Sequence, residues 1–310
     1  MSEPIRTIVV GVAHAHVADL ALRAATDLAL ACGAELHLVH ALEPPLLGGK
    51  AADTGADYMH HRDGRDGRVR EALRRALNEI VAGRGELRSR AWVYPMAPGD
   101  AILTVARRVG AGVVVVGASR HGALERALLG TAAQRVIRAS PVPVLVARRD
   151  FAEPPRRVLL TTDLSELSAA VHETALDTLD GLFPGRTLEL RSLAVVFHGM
   201  LPPPLTVGTL AHRAQGELAA FLSARRPRAA HVEPALRVGR AAEEIAAEAA
   251  EWDADLLVLG THARHGVERF LAGSVAETAL TAVDCNVLVV PPSVATVEPH
   301  DQPLAASASA

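Results

Sequence analysis

Two loops carry residue types that could hold a phosphate group. Each opens with a glycine after an apolar run and closes with a Gly-Thr or Gly-Ser pair before a predicted helix. A glycine lets the backbone approach a ligand closely, while unpaired N–H groups at a helix start and a neighbouring hydroxyl favour an anion. The same pairs also suit ordinary helix N-caps, so phosphate binding and capping both stay open. The residues are Gly117, Gly130 and Thr131 in the first loop, and Gly260, Gly273 and Ser274 in the second.

The sequence contains almost no lysine. Lys50 is the single lysine among 32 basic residues. A Walker-A P-loop is excluded there, because Pro44 stands where its first glycine would be and Ala51 replaces the required serine or threonine. A phosphate site in this chain would therefore use backbone amides, hydroxyl groups and arginine.

Three groups of histidines, at residues 14–16, 60–61 and 262–265, are close enough in sequence to be considered as metal ligands, but none has a cysteine partner at zinc-site spacing. We therefore predict no metal site, although His262 falls within the second glycine loop and is a candidate ligand contact. The sequence also lacks the Gly-x-Ser-x-Gly, His-Glu-x-x-His and Cys-x-x-Cys motifs. No catalytic residue is predicted.

The composition suits a two-domain globular protein. The chain has 310 residues, 49% of them apolar, and a net charge of −3. This balance argues against a nucleic-acid binder, and an aromatic content of 3% leaves few rings on which bases could stack. The two distant cysteines, Cys32 and Cys285, favour a reduced protein. Without a signal-peptide pattern or a long apolar run, we expect a cytoplasmic protein that does not enter a membrane.

The sequence contains an internal repeat. Val113–Gly117 resembles Leu256–Gly260, and the pairs that close the two glycine loops follow at the same offset. Two copies of one domain would explain the length of the chain. We expect these domains at residues 1–150 and 154–292, followed by a disordered tail at 293–310.

Each copy alternates short apolar strands with helices, which predicts a parallel sheet covered on both faces. In the first copy, strands are predicted at 7–12, 36–42, 91–94, 113–116 and 142–147, with helices at 16–32, 67–83, 99–109 and 130–139. In the second copy, strands are predicted near 157–162, 187–196, 231–237, 255–259 and 286–290. Residues 43–66 are predicted to form a long flexible loop. A ligand would bind beyond the carboxyl ends of the strands, where the strand order reverses.

This pattern resembles the universal stress protein family, whose nucleotide-binding members carry Gly-x2-Gly-x9-Gly-Ser/Thr after the fourth strand. The motif segments Thr162–Ser165, Val238-Gly239 and Gly273–Glu277 support the resemblance, which covers residues 1–292. It implies an α/β fold of two tandem open-sheet domains with five mostly parallel strands each, adenine-nucleotide alpha-hydrolase-like (Rossmann-like). It also implies that the last strands of the two copies pair and form a pseudo-dimer, and it leaves further homodimerisation open.

The resemblance also implies which residues would hold an adenine nucleotide. In the second copy these are Asp163, Leu193 (placed just after the second strand, where adenine packs), Leu259, Gly260, His262, Ala263, Gly273, Ser274 and Val275. The first copy offers a weaker set, namely Gly117, Arg120, Gly130 and Thr131. Both copies depart from the motif: Ala263 and Arg120 replace its second glycine, and Ala13 replaces the aspartate that Asp163 provides. The second domain therefore carries the better-kept motif.

The resemblance implies a stress-response or regulatory protein that binds ATP or a related adenine nucleotide, with or without Mg²⁺, mainly in the second domain and without fast hydrolysis. An alternative is a nucleotide-free interaction module that acts through protein partners. A third is an enzyme of a related nucleotide-binding α/β fold. Titration with Mg-ATP would separate the first two hypotheses.

Overall fold

The computed structural model describes residues 4–13, 16, 18–42, 55–118, 129–196, 207–223, 232–261 and 273–291. Of residues 55–66, 207, 210, 273 and 274, it describes the backbone only. The predicted tail at 293–310 lies outside these ranges. None of the described helices is both long and apolar enough to cross a bilayer.

Strands and helices alternate along both copies. The first copy consists of β1 (Thr7–Gly11), α1 (Leu20–Cys32), β2 (Glu35–Ala41), α2 (Gly55–Val81), β3 (Ser89–Tyr94), α3 (Pro98–Val109), β4 (Val113–Gly117), α4 (Thr131–Ala139) and β5 (Val144–Ala147). The second consists of β6 (Arg157–Thr162), α5 (Glu166–Leu182), β7 (Glu189–Val196), α6 (Val207–Ser223), β8 (Val232–Val238), α7 (Ala241–Glu251), β9 (Leu256–Gly260), α8 (Gly273–Ala282) and β10 (Asn286–Val290).

All ten strands form one sheet, in the order β3-β2-β1-β4-β5-β10-β9-β6-β7-β8. Neighbouring strands within each copy are parallel, whereas β5 and β10 pair in antiparallel fashion. Leu145 faces Leu288 at the middle of this pair. The predicted α/β pseudo-dimer is therefore confirmed, and the pairing covers two apolar strands that would otherwise be exposed edges.

Helices cover both faces of the sheet because strand side chains point alternately to opposite sides. Ile8 and Val10 of β1 belong to the core cluster on one face, which includes residues of α1, α2 and α5, whereas Val9 between them belongs to the cluster on the other face, which includes residues of α3, α4, α7 and α8. A smaller cluster buries α6 against β7 through Leu218 and Phe221. These layers leave the strand ends as the places where polar loops can meet.

Two helices begin at residues that the sequence pattern did not predict. Helix α1 was predicted from residue 16 but begins at Leu20, because the Asp19 carboxylate caps it by accepting a hydrogen bond from Leu22 N at 3.0 Å. Helix α2 begins at Gly55, so part of the predicted 43–66 loop is helical. Residues 55–66 lack the apolar period that would have indicated a helix, and the helix extends into them from the amphipathic part that follows.

The chain between the two copies is docked against the first of them. The side chain of Asp27 in α1 is buried and accepts hydrogen bonds from Phe151 N at 2.9 Å and Arg84 Nη2 at 2.6 Å. Phe151 also contacts Phe183 of the second copy, with ring centroids 5.9 Å apart. The linker thus contributes to the core shared by the two copies.

Candidate ligand site at the carboxyl ends of the strands

The strand order of the second copy reverses between β6 and β9. From β6 the chain proceeds outward to β7 and β8, and it then returns to β9 and β10 on the other side. Asp163 directly follows β6 and Gly260 ends β9, and these strands are paired from Val158–Leu256 to Leu160–Val258. This is the position at which open α/β sheets bind ligands.

Asp163 organises the loop that leaves β6. Its Oδ1 atom accepts hydrogen bonds from Ser165 N at 3.0 Å, Ser165 Oγ at 2.5 Å and Ser168 Oγ at 2.5 Å. Ser165 is also the N-cap of α5 and accepts a hydrogen bond from Ser168 N at 3.2 Å. Asp163 is exposed at the predicted site, and it also stabilises the start of α5 as an Asx-turn does.

The backbone beside Asp163 is held in an uncommon conformation. Leu164 has φ of 63°, in the left-handed region that residues other than glycine seldom adopt. Its N–H donates to Thr162 Oγ1 at 2.9 Å, and hydrogen bonds to the Asp163 carboxylate hold the loop on the other side. The loop geometry is therefore fixed by side chains of its own segment.

Gly260 allows α5 to approach the end of β9. A Cβ at this position would lie 3.2 Å from Val171 Cγ2, which is tighter than ordinary packing. Gly117 of the first copy has a looser environment, with Ala21 Cβ 3.6 Å from the equivalent point. The glycine at the second-copy site thus has a packing role in addition to any contact with a ligand.

Two predicted site residues have their side chains in the core. Leu193 was placed just after a strand, but it lies within β7 and is 1% exposed. The side chain of Leu259 in β9 is buried in the same cluster, under α7 and α8. The apolar run of β7 continues to Val196, so that residue, rather than Leu193, ends the strand at the carboxyl edge.

Helix α8 begins at Gly273, as the Gly-Ser pair predicts. Ser274 lies in its first turn, and its side chain is outside what the structure describes. The next residue, Val275, is 42% exposed, which makes it the most exposed large apolar side chain of the described residues. His262 and Ala263, and Arg120 in the first copy, also lie outside the described residues.

The first copy builds the equivalent site differently. Ala13 replaces the aspartate, and its N–H donates to Asp19 Oδ2 at 3.1 Å, so the carboxylate comes from a later position in the chain. Gly130 precedes α4 as its N-cap without a side-chain hydrogen bond, and Thr131 is the exposed first residue of that helix. The start of α4 is thus present in the first copy, but the loop after β1 is hydrogen-bonded to the N-cap residue of α1.

Two residues near the second-copy site, Ser168 and Glu244, are not predicted from the sequence. The spacing of Ser168 from Asp163 is that of a side chain in the first turn of α5. The N–H group of Gly239 donates a hydrogen bond to Val196 O at 3.0 Å. A Cβ atom at Gly239 would lie 2.8 Å from Glu244 Cγ. The Val238-Gly239 pair was noted in the sequence, but not that a carboxylate side chain lies against it.

A network of ion pairs lies between α7 and the outer strands of the second copy. Glu248 is 6% exposed, and its two oxygens contact Arg191 Nη1 at 2.8 Å and Arg237 Nε at 2.5 Å. Burial raises the pKa of the Glu248 carboxyl, but hydrogen bonds from Arg237 and Arg191 outweigh it, and the pKa lies below its usual range. Arg191 also contacts Glu233 and covers the ring of Trp252 at 4.4 Å.

Neither cysteine has the features of a reactive thiol. Cys285 is buried, and burial raises its pKa to about 11. Burial also raises the pKa of Cys32. Both are free thiols. Among the described residues, no three His, Cys, Asp or Glu side chains are arranged to hold a metal ion.

Several solved structures are similar to this chain over nearly its whole length. A protein from Pseudomonas aeruginosa UCBPP-PA14, provisionally assigned as a universal stress protein, is 20% identical with a TM-score of 0.64, covering 93% of this chain and 94% of that one. A functionally unknown protein from P. aeruginosa PAO1 is 20% identical with a TM-score of 0.63 and 93% coverage of both chains. A universal stress protein from Archaeoglobus fulgidus is 15% identical with a TM-score of 0.62, covering 92% of this chain and 98% of that one. These likenesses show the fold.

The sequence itself gives the family. No curated protein matches the chain with a significant score. The sequence model of the universal stress protein family, however, matches residues 4–148 and again residues 155–291. The chain therefore belongs to the universal stress protein family and contains its domain twice.

Proposed function

We propose that the protein binds an adenine nucleotide such as ATP in its second copy and acts as a regulatory protein of the stress response. The observation that carries this proposal is the meeting of Asp163 and Gly260 where the strand order reverses. The Asp163 carboxylate, which can accept hydrogen bonds from hydroxyl or amino groups, would then lie beside the end of β9. From there the chain continues to the start of α8. The first N–H groups of a helix have no partner within the helix, and they favour phosphate.

We prefer the second copy because the loops that follow β1 and β6 differ. Asp163 is an exposed carboxylate directly after β6, whereas the corresponding Ala13 has no side-chain acceptor and its N–H is bound by Asp19. In the second copy we assign phosphate to Gly273 and Ser274, with Val275 beside them, and base or ribose to Asp163. His262 and Ala263 of the intervening loop belong to the same proposed site.

The role we propose is binding rather than catalysis. The described residues around the strand ends include no general base with an orienting partner beside a nucleophile. Mg²⁺ would be carried by the nucleotide phosphates. A cytoplasmic location would fit such a ligand.

A second candidate function is a nucleotide-free interaction module. The observation that favours it is the Asp163 carboxylate, whose Oδ1 already accepts three hydrogen bonds within its own loop. Under this hypothesis the aspartate is purely a cap, and the protein acts through its surfaces. Nucleotide released from the freshly purified protein and identified by mass spectrometry would reject it.

Isothermal titration with Mg-ATP tests the assignment, because the repeat provides a matched control. Gly273→Val places a branched side chain at the start of α8, and Gly130→Val makes the same change before α4 of the first copy. We expect the first variant to lose at least tenfold in affinity and the second to bind as the unmodified protein does. Equal affinities of the unmodified protein and Gly273→Val would overturn the site, and loss in Gly130→Val alone would move it to the first copy.

A further inference from the structure

The two ends of the ten-stranded sheet differ in how their edges are protected. β3 is the terminal strand of the first copy, and β2 is its only neighbour among the described strands. Leu36 N donates to Arg88 O, and Leu42 N donates to Tyr94 O, each at 2.9 Å. Because backbone groups of a strand point alternately to its two sides, those of Ser89, Ala91 and Val93 point away from β2. An edge with which no described strand pairs is a template for a further strand.

The opposite edge, at β8, carries a proline in the middle. The residue of β8 that corresponds to Ala91 is Pro234, and Gly239 N bonded to Val196 O shows by alternation that Pro234 also faces outward. Proline has no N–H to donate to an added strand and is a common protection of sheet edges. The repeat therefore contains the same edge twice, once blocked by a proline and once without one.

The charges beside the two edges are also reversed. Arg90 and Arg108 place their guanidinium carbons 4.5 Å and 5.2 Å from the ring centre of Trp92. The corresponding positions of the second copy are Glu233 and Glu251, which pair with Arg191 and Arg237. These two carboxylates of the second copy are thus paired within the copy. In the first copy, two cations share one indole and have no acidic partner within the described residues.

Neighbouring arginines extend this unpaired charge. Arg88 directly precedes β3, and Arg107 lies at the end of α3 next to Arg108. Both are exposed, and neither forms an ion pair within the part of the chain that the structure describes. Guanidinium groups bind carboxylates with a planar fork of donors, so a carboxylate-rich partner fits this surface best.

We propose that the open edge of β3 takes an extended, acidic segment of a partner protein as an eleventh strand. The backbone of Ser89, Ala91 and Val93 would supply the ladder, which gives affinity without sequence preference. Carboxylates at every second position of the segment would meet Arg88 and Arg90 on the α3 side, because alternate residues of a strand share a face. This surface lies at the far end of the first copy and does not depend on nucleotide binding in the second.

A fluorescein-labelled peptide of alternating valine and glutamate, seven residues long, is the probe. We expect saturable binding by fluorescence anisotropy, and at least tenfold weaker binding when glutamine replaces every glutamate. Raising the salt concentration should weaken binding of the acidic peptide alone, since salt screens exposed charge pairs. Equal binding of the glutamate and glutamine peptides would overturn the proposal.

Variants of the protein separate the ladder from the charges. Ala91→Pro transfers the proline of β8 into β3 and should abolish binding, and the double variant Arg90→Glu with Arg108→Glu should weaken it at least tenfold. The control reverses two arginines of the second copy, Arg213→Glu with Arg240→Glu, and should bind as the unmodified protein does. Equal loss in the control would show that only net charge matters and would reject the site.

A peptide modification keeps the test decisive if Ala91→Pro impairs folding. N-methylation of the peptide groups that would face β3 removes the same hydrogen bonds from the other partner, and it should abolish binding to the unmodified protein. Retained binding would contradict an added strand. Sedimentation provides one further outcome: self-association that Ala91→Pro abolishes would identify a second copy of this chain as the occupant and reject an acidic partner segment.

Discussion

The side chain of Asn286 in β10 holds the backbone of Arg148 at the end of β5. Its Oδ1 accepts a hydrogen bond from Arg148 N at 2.8 Å and another from Arg149 N at 2.9 Å. In the first copy the corresponding position is Pro143, which has no side-chain acceptor. The pseudo-twofold relation between the copies is thus broken where the linker leaves the sheet.

Replacing this asparagine should destabilise the whole chain. Asn286 is 3% exposed, so Asn286→Ala would leave two backbone N–H groups without their acceptor. We expect the free energy of unfolding to fall by about 2 kcal/mol, the range typical of unsatisfied buried donors. Urea titration of the variant measures this. Asn78→Ala, the same change on the exposed side of α2, should have an effect near zero, and equal losses would contradict the linking role of Asn286.

Removing the buried charge of Glu248 should destabilise the protein more than removing an exposed charge of the same helix. Glu248→Gln leaves Arg191 and Arg237 without a buried counter-charge, which should cost about 3 kcal/mol in the free energy of unfolding. Glu243→Gln at the exposed start of α7 should cost less than about 0.5 kcal/mol. Because the pKa of Glu248 is lowered in the folded protein, its contribution is present above pH 4.5 and is lost as the pH falls further. Similar losses in both variants would show that burial of the network is unimportant.

The sequence predicted the strands better than the polar contacts between elements. All ten predicted strands are present, and Gly33 and Gly110 end α1 and α3 with φ of 71° and 61°. These features depend on local apolar patterns and backbone freedom. The reversal of charge between Arg90 and Glu233 has no local signal, because it requires the register of two strands and the helix above them.

The contacts of the candidate site residues show the same limit of local sequence patterns. The apolar run that contains Leu193 shows a buried strand, but not which of its residues reaches the edge of the sheet. Asp163 has the spacing of both a ligand contact and a helix cap, and the hydrogen bonds to Ser165 and Ser168 appear only when α5 is in place. The sequence therefore predicts a candidate site by motif, while the contacts of the side chains within it depend on the tertiary structure.

His37 predicts a pH dependence of stability near neutrality. Its Nδ1 accepts a hydrogen bond from Trp92 Nε1 at 2.9 Å, which requires the neutral ring, and burial lowers its pKa below 6.5. The unfolded chain therefore binds the proton more readily, and stability should decline as the pH falls below 6.5. His37→Gln offers an acceptor without this titration. Unfolding curves between pH 5 and 7 should show a smaller pH dependence in the variant; an unchanged dependence would assign the effect to other groups.

Variants of Asp163 should separate its contribution to stability from its proposed contact with the nucleotide. Asp163→Ala removes the acceptor for Ser165 and Ser168, so it should lower the free energy of unfolding by about 1 kcal/mol even without nucleotide, as the loss of a helix cap does. Asp163→Asn retains an oxygen acceptor and should recover most of that stability. If the carboxylate also contacts ribose or base, the asparagine variant should still bind Mg-ATP more weakly than the unmodified protein.

Ser165→Ala provides the matched control for this separation. It removes the N-cap hydroxyl of α5 but leaves the Asp163 carboxylate, so it should lower stability without removing the proposed ligand contact. Thermal unfolding measured with and without Mg-ATP gives both quantities for each variant. If Asp163→Asn and Ser165→Ala show the same shift with Mg-ATP as the unmodified protein, the carboxylate acts as a cap alone. The nucleotide contact assigned to Asp163 would then be wrong, because a direct contact to its charge could not survive that substitution unchanged.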